Sequence, residues 1–585
     1  MKIMIVQANP RVGDLEANFR NAERQVTLAK QKGADLVVFP ELSVTGYPPK
    51  DLLDKPAFVK ETLNYTRKWA SLSFGGPAVL FGSVMPYGTT CDGLLCIEDA
   101  TGKRLENVAC LAYNGILKEK RAKKLLPTYD VFDEDRYFRS AESVLPMYLP
   151  LPGGNGINLG VCVCEDAWNC KKYWTQAWKS TEKKWLYPYD PLDHLAGADV
   201  IINLSASPFH IGKPAIREDM FSYISRNMGK KLIYCNQVGG NDDVVYDGNS
   251  LVFNEHGEIC EQLDGFQEDS KLVDLEDLKP KPVGTSSPEQ IALKDNDDIL
   301  NALILGVRDY AQKTGFKTAV IGLSGGIDST VVACIAAKAL GPKNVLGVSM
   351  PSRYSSDGSI ADAEQLAKNL RIKFEVIPIR EPHRTYMNIL AERMGGVNDV
   401  KTELWEENLQ ARIRGSILMA ISNKENRLLL TTGNKSEISM GYFTLYGDSC
   451  GGLAVIADLF KTKVYSLARW INFKASIRSD LAQPLIPLPC IEKPPSAELR
   501  PGQKDEDSLP PYSKLDAMLE AYVEDAKSID EIASIVHEDA AFVSSIISKV
   551  DRCEYKRKQL PPGIRVTKKA YGTGRQMPIA QGWYK

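Results

Sequence analysis

Short apolar runs recur through the first half of the chain, at residues 3–6, 36–39, 79–81, 159–163, 200–202, 232–234 and 251–253. Each is too short for a helix, carries no alternating polar positions, and is bounded by Gly, Pro or Asn. That pattern predicts strands buried on both faces. Residues 15–32 show helical spacing between the first two runs, so the expected architecture is a layered α/β sandwich. The pattern changes near Asp274. Residues 274–294 (DLEDLKPKPVGTSSPEQIALK) are rich in Pro, Ser and charge and read as a linker between domains at 1–273 and 295–585. Beyond it come a helix near 298–313, a strand at 319–323, a helix at 329–340, a strand at 345–348, a helix near 359–370, a strand at 374–377 and a further strand at 428–430. This βαβαβ order predicts a doubly wound parallel sheet. A second Pro-rich, charged stretch at 494–511 reads either as a lid or as an ordinary connection. No internal repeat is visible.

Composition adds mainly exclusions. A chain of 585 residues is too long for a single core, which agrees with two large domains. Hydrophobic content of 44% and charged content of 25% are those of a soluble globular chain. The formal net charge of -2 gives no electrostatic reason to expect nucleic acid or an anionic membrane as partner. No apolar run approaches the roughly 20 residues that span a bilayer. The opening Met1-Lys2-Ile3-Met4-Ile5-Val6-Gln7 turns polar too soon for a secretory signal and reads as a first strand. The 12 cysteines form no CxxC pair, so reduced thiols in a cytoplasm are expected. The 5 histidines (His194, His210, His256, His383 and His537) form no HxH or HxxxH cluster. A histidine-ligated metal is therefore not expected, and a nucleophile must find another base.

Two constellations carry chemistry. Glu41 follows the run at 36–39, and Cys164 follows the run at 159–163, so both lie where open α/β sheets place reactive groups. Lys123 lies in the basic segment Lys123-Lys124-Leu125-Leu126-Pro127. A carboxylate can take the proton of an exposed thiol, an ammonium can stabilise thiolate and oxyanion, and the thiolate can attack a carbonyl carbon. In the second half, Ser324-Gly325-Gly326-Ile327-Asp328-Ser329 joins a strand to a helix. Glycines let backbone wrap a phosphate, hydroxyls donate to it, and the helix start favours negative charge. No lysine closes this loop as in GxxxxGK[ST]. Asp328 and Glu437, each just past a strand, are candidate magnesium ligands.

The motifs resemble known families. Pro40-Glu41-Leu42 with Tyr47, Lys123-x-x-Leu126-Pro127 and Cys164-Glu165-Asp166 are similar to the three motifs of the nitrilase/amidase superfamily over roughly residues 1–270. The resemblance implies an αββα sandwich with Glu41 as base, Lys123 as thiolate and oxyanion partner and Cys164 as nucleophile; Cys162 and Lys124 do not match. The segments at 132–138, 203–209 and 236–241 resemble the glutaminase branch. They imply that Tyr129, Ser207 and Lys213 hold the α-amino and α-carboxylate groups of glutamine. The loop at 324–329 resembles that of N-type ATP pyrophosphatases, which release pyrophosphate and make an adenylate. Residues 407–414 (ENLQARIR), 432–437 (TGNKSE), 441–448, 493–499 and 555–557 resemble the NAD synthetases.

With both halves, the chain resembles the bacterial glutamine-dependent NAD synthetase family. That implies ATP contacts at Gly322, Leu323, Ser324, Gly325, Gly326, Ile327, Asp328, Ser329, Ser349, Thr432 and Lys461. It implies deamido-NAD contacts at Asn408, Arg412, Glu437 and Lys556, with Mg2+ on Asp328 and Glu437. The implied partners are glutamine, ATP and deamido-NAD, with no nucleic acid and no membrane, in a cytoplasmic homo-oligomer. The chain departs from the single-domain, ammonia-using relatives at Leu445, where they carry a lysine. Two other readings stay open from the residues alone: another amidotransferase sharing the ATP loop, and an inactive amidase half serving as a scaffold. Intact Glu41, Lys123 and Cys164 speak against the second.

Overall fold

The computed structural model describes residues 1–89, 105–151, 156–170, 173–174, 187–282, 287–394, 402–478 and 483–583. The chain divides into two compact units, one formed by Met1–Asn241 with Val245–Thr285 and the other by Asp242–Val244 with Ser286–Lys585.

The first unit contains two six-stranded sheets. In one, Lys2–Gln7 lies between Asp269–Asp274 and Leu36–Val38, followed by Ala78–Pro86, Leu105–Tyr113 and Ile116–Ala122. The other runs Ile259–Gln262, Leu251–Phe253, Lys231–Asn236, Val200–Ser205, Gly156–Val163 and Met147–Pro150. Successive side chains of one strand point to opposite faces, and here both faces are dry. Ile3 and Ile5 pack with Val161, Val163, Ile202 and Leu204 between the sheets. Met4 and Val6 pack outward on Val26, Trp69 and Ala70 of the helices Leu15–Gln31 and Pro56–Ser71. On the far side, Cys162 and Ile201 meet Met220, Phe221 and Ile224 of the helix Lys213–Met228. The layers are therefore helix, sheet, sheet, helix. Each fully buried Val, Leu or Ile contributes about 1.5–3 kcal/mol to that stack.

Strands at Leu105–Tyr113 and Ile116–Ala122 escaped the periodicity reading. The second is an edge strand, and its ILKEKRA sequence keeps charge along a solvated edge, which hides the strand signal.

The second unit holds a five-stranded sheet, all parallel, in the order Lys373–Val376, Val345–Ser349, Thr318–Gly322, Arg427–Thr431, Leu453–Ala454. The chain leaves Thr318–Gly322 toward one neighbour and returns on its other side as Arg427–Thr431. A crevice opens beyond the carboxyl ends at such a reversal. The helix Ile327–Leu340 enters directly under it and buries nearly every side chain, including Val331, Val332 and Ile335.

The helix expected near 298–313 begins earlier, at Pro288. Ser287 and Gln290 form a reciprocal capping box, with Pro288 in the first turn. Residues 288–294 of the expected linker are thus helical. Helices at Tyr512–Leu519, Ile529–Val536 and Ala540–Arg552 build a separate small core around Leu515, Ile532, Ile546 and Val550. No described helix is long and apolar enough to cross a membrane.

Candidate active sites

In the first unit, three strand ends converge. Glu41 and Lys123 are fully buried, and Cys164 is 3% exposed. The thiol expected to be exposed is therefore inside, because it opens a short turn, Cys164–Ala167, at the inner end of Gly156–Val163. Its backbone takes φ of 44°, which is left-handed and costly for a residue with a Cβ.

Lys123 Nζ donates to Glu41 Oε1 at 2.8 Å and to Glu134 Oε1 at 2.7 Å. Glu41 also accepts from Asn107 Nδ2 at 2.7 Å and from the Ala206 amide at 3.0 Å. Tyr47 Oη donates to Glu134 Oε1 at 2.7 Å. Burial disfavours the Lys123 charge, but Glu134, Glu41 and Cys164 outweigh it and hold the ammonium well above its usual pKa. Burial also pushes the Cys164 thiol well up; Glu41 adds to that and Lys123 opposes it. The resting sulfur is thus protonated beside a carboxylate and a permanent cation. That arrangement can deliver a thiolate only as it attacks, with Glu41 receiving the proton. Burial raises Glu134 to about 7, with Lys123 opposing.

Asp166 ties the Cys164 turn to the lysine segment. Its Oδ1 accepts from the Lys124 amide at 3.0 Å and the Leu125 amide at 2.8 Å, and its Oδ2 from the Val163 amide at 3.0 Å. Tyr129 Oη donates to both oxygens of Glu165, at 3.0 and 2.9 Å. Ser207 is buried, and its amide donates to Asn236 Oδ1 at 2.9 Å. Lys213 opens the helix Lys213–Met228, with Nζ 4.8 Å from the Trp168 ring centroid. Its charge acts on Glu165. Tyr129, Ser207 and Lys213 thus lie on elements around the Cys164 turn. Sequence reasoning gave no roles to Glu134, Asp166 and Glu165. The available signals were the acid within the quoted 132–138 segment and the two acids directly after the cysteine.

In the second unit, a cavity of about 450 Å³ opens at the carboxyl ends of the parallel strands. Gly322, Leu323, Ser324, Gly326, Ile327, Asp328 and Ser329 line it, with Ser349, Asn408, Thr432, Glu437, Lys461 and Lys556. Gly325 does not line it: its φ is 75°, and a Cβ there would meet the Ser359 carbonyl oxygen at 2.3 Å. It lets the loop turn against the neighbouring helix start. Ser324 and Ser329 hydroxyls lie 3.2 Å apart, and the Gly326 amide donates to Ser324 Oγ at 3.2 Å.

Lys461 Nζ donates to Asp328 Oδ2 at 2.5 Å and to Glu437 Oε1 at 3.1 Å. Asn434 Nδ2 donates to Asp328 Oδ1 at 3.0 Å. Burial raises Glu437 to about 8, against the pull of Lys461. Two carboxylates beside the glycine-rich loop at 322–329 have the chemistry to hold a hard cation. No cluster of three or more metal-binding side chains occurs among the described residues. Arg412 does not line the cavity; it is exposed, and its Nε donates to the Leu445 carbonyl at 3.2 Å. Residues 493–499 do line the cavity. Glu498 of this stretch accepts from Ser359 Oγ at 2.7 Å and Ser356 Oγ at 3.1 Å, which ties the stretch to the start of the helix Asp357–Leu370.

Residues 2–176 match the Carbon-nitrogen hydrolase family and residues 299–560 the NAD synthase family. A glutamine-dependent NAD(+) synthetase of Synechocystis sp. is 44% identical over 100% of this chain and 99% of its own. One of Thermotoga maritima is 40% identical over 99% and 98%. The solved structure of the Acinetobacter baumannii glutamine-dependent NAD+ synthetase, in complex with ADP, is 33% identical with a TM-score of 0.71, covering 100% of this chain and 99% of that one. Identity at this level along the whole length, with both family models matched, places the chain in the family of glutamine-dependent NAD(+) synthetases.

Proposed function

We propose that the chain makes NAD from deamido-NAD, with ATP as the activating substrate and glutamine as the nitrogen source. The observation that carries this reading is the pairing, in one polypeptide, of a buried Glu41–Lys123–Cys164 set with a phosphate loop bordered by Asp328, Glu437 and Lys461.

In the glutaminase half, residues 1–273, Tyr129, Ser207 and Lys213 hold the α-amino and α-carboxylate groups of glutamine. Glu165, bonded to Tyr129, supplies negative charge for the ammonium. Glu41 takes the thiol proton as Cys164 sulfur bonds to the side-chain amide carbon. Lys123 stabilises the oxyanion, the C–N bond breaks, and the proton passes from Glu41 to the leaving ammonia. Water then attacks the γ-glutamyl thioester, with Glu41 again as base, and glutamate and the free thiol result.

In the synthetase half, residues 295–585 beyond a 274–294 linker, residues 322–329 with Ser349, Thr432 and Lys461 hold ATP. Asn408, Glu437 and Lys556 hold deamido-NAD. Arg412, which is exposed and does not line the cavity, is left out of this set. The nicotinate carboxylate bonds to the α-phosphorus and pyrophosphate leaves. Ammonia attacks the acyl-adenylate carbon and AMP leaves, giving NAD. Asp328 and Glu437 would hold Mg2+, which would neutralise phosphate charge. We further propose a homo-oligomer working in the cytoplasm.

The test is product analysis of purified protein with glutamine, ATP and deamido-NAD. NAD, glutamate, AMP and pyrophosphate should form, with AMP equal to NAD. Release of ADP and phosphate in place of AMP and pyrophosphate would rule out the adenylate route.

A further inference from the structure

Four cations line the cavity of the second unit among the described residues: Arg414, Lys461, Lys493 and Lys556. Three of them are already engaged. Lys461 bonds to Asp328 and Glu437. Lys493 bonds to Ser359 Oγ at 3.0 Å and Asp362 Oδ2 at 3.3 Å. Lys556 donates to the carbonyls of Gly441 and Phe443 at 2.8 and 3.0 Å.

Arg414 differs. It projects from the helix Leu404–Glu425, and its Nε donates to the Met350 carbonyl at 3.0 Å, at the end of the strand Val345–Ser349. No other hydrogen bond and no ion pair of this side chain is found among the described residues. Three buried arginines elsewhere in the chain carry carboxylates: Arg217 with Asp247, Arg557 with Glu554, Arg575 with Asp551. The acids whose fields reach Arg414, Glu498 and Asp448, stand beyond ion-pair range and do not offset its burial, so its pKa falls to about 10. The bond to Met350 uses Nε and leaves both terminal amino groups of this cavity-lining guanidinium without a protein partner among the described residues. A planar fork of this kind recognises phosphate and carboxylate.

We infer that Arg414 is a further substrate-binding residue, whose guanidinium takes an anionic phosphate or carboxylate oxygen of a nucleotide in the cavity. This rests on reading the cavity as the ATP and deamido-NAD site. It adds to that reading a residue on the strand side opposite Thr432.

The test compares wild type with Arg414→Gln and Arg414→Lys, titrating ATP alone and deamido-NAD alone by calorimetry. Melting temperature and glutamine hydrolysis serve as folding checks. Arg414→Gln should weaken one nucleotide by ~10–100-fold, the loss expected for a charge-assisted bond. Arg414→Lys should recover part of it. Weakened ATP assigns the oxygen to the ATP phosphates, and weakened deamido-NAD assigns it to the dinucleotide. Unchanged affinity for both overturns the inference, as does a lysine variant no better than the glutamine one. Should the variants melt early, wild-type protein decides: phenylglyoxal should modify Arg414, and one nucleotide should protect it. Protection by neither overturns the inference. Wild type that binds neither nucleotide would instead overturn the reading of the cavity itself.

Discussion

Replacing Lys123 with methionine probes the energetics of the thiol site. The substitution keeps the length of the side chain and removes its charge. Lys123 is fully buried between Glu41 and Glu134, at 2.8 and 2.7 Å. Without it, two carboxylates face each other in a dry site, held only by Asn107, Tyr47 and the Ala206 amide. Breaking a buried ion pair by deleting one partner costs about 3–5 kcal/mol. For a unit of this size each kcal/mol lowers the melting temperature by roughly 2–4 °C, so the first unit should melt roughly 6–20 °C early. The penalty depends on pH in a stated direction. Glu134 has a folded pKa raised to about 7, above its usual 4.5. As a neutral acid it needs no cation, and without Lys123 to lower it that pKa climbs further, so the loss should be small near pH 5 and reach its full size only well above pH 7. Adding Glu134→Gln to the lysine variant should restore part of the stability and none of the glutaminase activity. Calorimetric scans at both pH values provide the assay. A Lys123→Met protein that melts within 2 °C of wild type, roughly 1 kcal/mol or less, at the higher pH would refute this account of the triad.

Other expectations follow from single contacts. Burial raises Asp166 from 3.8 to about 7. Since its folded pKa lies above the unfolded one, its contribution is full below about pH 4 and is lost as pH rises through about 7, on the order of 4 kcal/mol. Asp166→Asn should flatten the stability slope across that window in urea titrations and slow glutamine hydrolysis, because the cysteine turn loses its tie to the lysine segment. Gly325→Ala forces a Cβ against the Ser359 carbonyl at a positive φ. ATP-dependent synthesis should fall at least tenfold while glutamine hydrolysis persists, measured side by side on one preparation. Asp247→Leu leaves Arg217 as an unpaired buried charge. Denaturant titration should show a loss of about 3–5 kcal/mol in the first unit.

Much of the architecture is legible in the apolar runs, because strands buried on both faces leave a continuous signal. The runs at 3–6 and 251–253 became Lys2–Gln7 and Leu251–Phe253. The edge strand Ile116–Ala122 and the cap at Ser287 were not legible: one hides under charge, and the other depends on two side chains bonding reciprocally. The pairing of Lys123 with Glu41 was foreseeable from their motifs. The second carboxylate, Glu134, was not, since only folding brings it to Lys123. Burial of Cys164 also escaped, because a residue just past a strand end reads as exposed until the second sheet covers it. The family resemblance assigned Arg412 to deamido-NAD and gave Arg414 no role. Their separation by two positions on a helix turns one toward solvent and the other toward the cavity.

The division of labour between the two sites is tested most directly by NAD formation in Cys164→Ala, with glutamine or with ammonium chloride as nitrogen source. The account predicts no NAD from glutamine and near wild-type NAD from ammonium. Glutamine-driven synthesis surviving in the variant, or equal loss with both nitrogen sources, would contradict it.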